Sequence, residues 1–139
     1  MKKIVALFTL LLLTLGISSM TFAETSNEDQ AQALKEIFET NKDIQDIINA
    51  AVEEGDKLYK EYVDNLALAN DEESERLTAT YNAELETLIT TLQQVAEEMT
   101  LAEIAEASKD GIEAECEYIL VKIGDREVLV DPIKIIDIA

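Results

Sequence analysis

Apolar residues return along the first half of the chain at Leu34, Ile37, Ile44, Ile48, Ala51, Leu58 and Tyr62. Steps of three, four or seven keep side chains on one stripe of an α-helix, so this spacing predicts a long amphipathic helix. Phe38, Ile47, Val52 and Tyr59 widen the stripe. Ser26 offers an N-cap, with Glu28 and Asp29 in the first turn where acids suit the helix dipole. Asn41 and Gly55 interrupt the stripe on its own phase. A mid-helix glycine costs ~1 kcal/mol against alanine, and because the phase resumes beyond Gly55 the pattern predicts one bent helix rather than two.

Asn70-Asp71-Glu72-Glu73 has the form of a capping box, with Asn70 as N-cap and Glu73 reaching back to it. A second heptad stripe follows at Tyr81, Leu85, Leu88, Leu92, Val95, Met99 and Ala102, flanked by Ile89 and Ala96. Thr100-Leu101-Ala102-Glu103 repeats the capping-box form, which predicts a restart as a short third helix stopped by Gly111. The first helix then runs about 43 residues, ~64 Å, and the second about 29, ~44 Å. On those lengths the first helix either folds back near Gly55 or overhangs to meet a second chain.

The helical period disappears after Ile112 and β-branched residues take over. Two runs, Cys116 to Ile123 and Glu127 to Val130, flank Gly124-Asp125-Arg126. A two-residue Gly124-Asp125 loop suits a type I′ or II′ hairpin. In that register Ile123 faces Arg126, Val121 faces Val128 and Ile119 faces Val130 on an apolar face, while Lys122 meets Glu127 and Leu120 meets Leu129 on a mixed one. Pro132 ends the strand or marks an edge. Ile133 to Ile138 continues as a third short strand or as a tail. An isolated hairpin is marginal in water, so its apolar face needs the helices. The predicted fold is α+β, mostly α: a long antiparallel, coiled-coil-like helical hairpin, a short third helix, and a C-terminal β-hairpin packed on one end.

The start of the chain follows another logic. Lys2 and Lys3 precede an apolar run from Ile4 to Leu15, then small residues from Gly16 to Ala23 with Thr21 and Ala23 at the −3 and −1 positions. This order predicts a cleavable signal peptide, since the run is short of the ~20 residues that span a membrane. The expected organisation is a signal peptide over 1–23, an acidic helical region over 24–111 and a hairpin region over 112–139. The product is exported, to a periplasm or the extracellular space.

Composition narrows the chemistry. The chain has 30 acidic and 11 basic residues, a formal charge of −19, and cleavage removes two lysines and no acid. Such a field makes binding to nucleic acid or an anionic membrane surface improbable. With no His in the chain, Ser-His-Asp and Cys-His catalysis and His-based zinc sites are excluded. No phosphate-cradling glycine loop is present, and no cofactor is expected. Cys116 has no partner for an intrachain disulfide; it is read as a buried thiol, its pKa raised by Glu115 and Glu117. The acid clusters are the remaining candidates. Asp71, Glu72, Glu73 and Glu75 crowd one helix start, and Glu113, Glu115 and Glu117 alternate onto one strand face. Crowded carboxylates can ligate a calcium-type cation, but the same groups serve a helix dipole and discourage edge-to-edge strand pairing. The leading expectation is a non-catalytic exported protein that binds another protein, or a second copy of itself, through its helices or hairpin edge. An acidic cation-binding protein is the alternative, and a carboxylate-based hydrolase the third.

Overall fold

The computed structural model describes residues 27–138. The signal-peptide reading and the Ser26 cap lie outside them. Two helices, α1 (Asn27–Leu66) and α2 (Asp71–Lys109), form an antiparallel hairpin, followed by strands β1 (Ile112–Cys116), β2 (Ile119–Ile123), β3 (Arg126–Val130) and β4 (Ile133–Ile138). The fold is α+β and mostly α, as the patterning predicts. No helix among the described residues is long and apolar enough to cross a membrane.

The capping box at Asn70 forms in full: the Asn70 side chain accepts from the Glu73 N–H at 3.0 Å, and Glu73 Oε2 accepts from the Asn70 N–H at 3.2 Å. The second box does not. Thr100 is buried and donates its hydroxyl to the Asp131 carbonyl at 2.5 Å, so α2 runs on without a restart until Gly111, whose φ of 76° suits the residue after a helix. The expected short third helix is thus the last part of α2. Its inclusion makes the helices 40 and 39 residues long, and the overhang inferred from unequal lengths disappears.

Gly55 is likewise no fold-back point, for α1 is unbroken through it. A Cβ there would lie 2.4 Å from Ile123 Cγ2 and 3.0 Å from the Gly124 nitrogen. The glycine admits the hairpin turn against the helix. Gly124 has φ 59° and Asp125 does not have a positive φ, the form of a type II′ turn with Gly first. The turn is held from the other side by Tyr81, whose hydroxyl donates to Asp125 at 2.6 Å, and by Arg126, which donates to Glu86 at 2.6 Å and to Asn82 at 2.8 Å.

The hairpin register is the one the sequence predicts, from Ile123 opposite Arg126 to Ile119 opposite Val130. It is also longer than predicted. Ile133–Ile138 pairs antiparallel with Ile112–Cys116, with an irregularity between Glu113 and Ala114. The Glu117 N–H donates to the Pro132 carbonyl at 2.8 Å, linking the two pairs of strands into one ribbon. That ribbon lies along the helical hairpin and is not confined to one end of it. At one extremity Ile112 and Ile133 pack with Ala33, Ile37 and Ala107. Beyond them Ile123, Val128 and Val130 join Ile44, Ile48, Leu85, Leu92, Val95 and Met99 in the main core. Tyr81, which holds the ribbon's turn, also stacks on Tyr62 with ring centres 4.5 Å apart.

Candidate interaction surface

The two acid clusters sit in different settings. Asp71, Glu72 and Glu73 occupy the first turn of α2 beside the Asn70 cap, and they and Glu75 are exposed. Their geometry is that of a capped, dipole-matched helix start. Glu113 and Glu115 project from the solvent face of β1. There Lys134 of β4 stands across from Glu115 and lies 3.8 Å from it and 3.9 Å from Glu117. A cation is therefore already supplied to the second cluster by the neighbouring strand. Among the described residues no group of three or more Cys, Asp or Glu is disposed to hold a metal ion.

Cys116 is half-buried on the inner side of β1, opposite Ile133, rather than fully buried. Its thiol pKa is pushed up, as expected, though chiefly by burial, then by the Asp131 and Glu97 carboxylates, with Glu115 a smaller cause. Asp131, at 8% exposure, is raised in turn by its own burial and by Glu97. A second carboxyl of this kind lies between the helices. Glu103 Oε2 accepts from the Thr40 hydroxyl at 3.2 Å, while its Oε1 is buried without a partner. Burial and the nearby Glu36 and Glu106 raise its pKa. The Cys116 thiol and the Asp131 and Glu103 carboxyls are thus all held toward their neutral forms.

What stands out instead is apolar surface on the outer side of the ribbon. Tyr118 is 68% exposed, Leu120 61% and Leu129 52%. Leu120 and Leu129 face each other across β2 and β3, so they form one patch, with Tyr118 two residues from Leu120 in the chain. The inner face is filled by Ile123, Val128 and Val130, and half-buried Ile119 and Val121 complete it. The mixed face read from the sequence is therefore the solvent face, and its apolar members have no cover among the described residues. The Leu120–Leu129 pair was the visible signal: two large aliphatics directly opposed on the face that should be polar.

Comparison with protein-family models, with curated proteins and with solved structures finds no match for this chain.

Proposed function

We propose that this is an exported, non-catalytic protein that binds another protein through the outer face of its β-ribbon. The observation that carries the reading is the exposure of Tyr118, Leu120 and Leu129, left open although the inner face of the same ribbon packs on the helices. Contiguous exposed apolar surface of this kind is a usual sign of an interaction site, and aromatic residues are enriched in such sites. The rigid helical hairpin behind the ribbon supports the reading further, since it holds the patch in place before a partner arrives and lowers the cost of ordering it. Export rests on the Lys2-Lys3, Ile4–Leu15 and Thr21/Ala23 pattern.

The test is site-specific photo-crosslinking of the full-length chain in cells that make it. A photoreactive residue at Leu120 or Leu129 is expected to yield an adduct of one discrete protein mass, absent when the probe stands at Phe38, an exposed apolar residue on α1. The same adducts from all positions, or none from the ribbon, would remove the proposal.

A further inference from the structure

The backbone of the ribbon narrows the kind of partner, on the reading that the ribbon is the binding face. The two-residue loop closes on the Ile123–Arg126 pair, and in such a hairpin the closing pair exchanges both N–H···O bonds. Bonded and non-bonded pairs then alternate, so Val121 bonds across to Val128 while Lys122, Leu120, Glu127 and Leu129 turn their backbone groups outward to the two edges. On the β3–β4 edge the helices meet them. Gln93 donates to the Leu129 carbonyl at 3.0 Å, Thr100 donates to the Asp131 carbonyl, and Asn41 binds both the N–H and the carbonyl of Ile133 at 2.8 Å each. On the β2 edge no further strand and no side chain among the described residues meets the outward groups of Leu120 and Lys122. Unpaired edge groups are a template for another strand. Here they sit beside the exposed Tyr118 and Leu120, on the one strand that carries no acid.

We infer that the β2 edge receives an extended, basic segment of another protein, which adds as a strand beside Ile119–Ile123. Strand addition takes its affinity from main-chain hydrogen bonds and its selectivity from alternate side chains. Apolar side chains on the added strand's outer face would cover Tyr118 and Leu120. Basic ones are drawn by the field of a chain with charge −19, not by local acids, since Glu117 is already met by Lys134 and the one charge on β2 is Lys122. The same net charge opposes a second copy on this edge, because two such chains repel.

The experiment uses the purified mature chain and a short end-capped peptide of alternating lysine and valine, followed by amide NMR and hydrogen exchange. Saturable shifts centred on residues 117–123 are expected, with the Leu120 and Lys122 amides exchanging about tenfold more slowly in the complex. Affinity should fall severalfold when salt is raised, and a glutamate–valine peptide should not bind. Lys122→Pro removes one outward N–H while sparing the bonds across the ribbon, and should abolish binding. If that variant fails to fold, the exchange readout on the native chain decides. Shifts spread over the helices with both amides unprotected would overturn the inference, since they mean charge attraction alone. A dimer that protects both amides without peptide would overturn it in favour of a second copy. If Leu120 crosslinks to a protein in cells but the peptide does not bind, the basic-strand inference falls while the protein-binding reading stands.

Discussion

Gly55 shows how one residue can be read two ways. On helical phase alone it is a weak point, and replacing it by alanine should strengthen α1 by ~1 kcal/mol. The packing predicts the opposite sign. Its missing Cβ makes room for Ile123 Cγ2 and for the backbone nitrogen of Gly124, and a backbone atom cannot rotate out of the way. Gly55→Ala should therefore destabilise by ~1–3 kcal/mol, the usual range for overpacking. Urea unfolding checks it; an unchanged or higher midpoint would show that the turn is free to shift. Tyr81 stands on the other side of the same turn. Burial and the bond to Asp125 push its pKa up to about 12. A raised pKa means that the folded state favours the neutral phenol. Its contribution is fully present below the ordinary tyrosine value near 10 and is lost as pH rises through about 12. Tyr81→Phe should lower stability at neutral pH by ~0.5–1.5 kcal/mol, the worth of a typical hydrogen bond. It should also flatten the fall in midpoint between roughly pH 10 and 12.

At the scale of elements, what was legible in the sequence is what local chemistry determines. The Asn70 box appears as written, because its two side chains need only each other's backbone. The β2–β3 register follows from loop length alone, since a two-residue turn leaves no slack. Long-range competition decided the rest. Thr100 has the residues for a second cap, but a carbonyl from Asp131 takes its hydroxyl and α2 continues. The strand character of Glu113 to Glu117 and of Ile133 to Ile138 was readable, the latter as a strand or a tail, but the β1–β4 pairing was not, because no turn signal joins the two segments and β2 and β3 bring them together. Asn41, an apparent flaw in the α1 stripe, holds the start of β4 through both backbone groups of Ile133. Asn41→Leu restores the apolar stripe, yet it should destabilise by ~1–3 kcal/mol by leaving those groups unmet. Hydrogen exchange locates the effect: the Ile133 amide should lose protection while the Val128 and Val130 amides keep theirs. Equal loss at all three would mean that the ribbon opens as a unit. The outer patch was half legible, for the Leu120–Leu129 pairing was readable but its lack of cover was not.

The whole molecule is governed by charge. Thirty acids against eleven bases make the compact state repel itself at neutral pH. The ion pairs are mostly solvent-exposed lysine–carboxylate contacts such as Lys35–Glu39, which contribute little. Two carboxyls add a specific penalty. Asp131 is raised by burial and faces Glu97 and Cys116; Glu103 is raised by burial and faces Glu36 and Glu106. A carboxyl whose folded pKa lies above its unfolded value gives stability that is fully present below the unfolded value and lost as pH rises through the folded one. For these groups the unfolded values are 3.8 and 4.5. Acidification from neutrality toward those values should therefore stabilise the fold, the reverse of proteins whose carboxylates are ion-paired when folded. General repulsion acts in the same direction, so the two causes need separating. Salt does this: it screens exposed charges but reaches buried groups poorly. The midpoint of thermal unfolding should rise as the pH is lowered from 7.5 toward 4.5 at low salt, and part of that rise should persist at high salt. The persistent part should vanish in Asp131→Asn with Glu103→Gln, and that double variant should melt higher than the native chain at pH 7.5. A pH response removed entirely by salt would assign it to surface repulsion alone. A midpoint that falls on acidification would mean that paired carboxylates outweigh the buried ones.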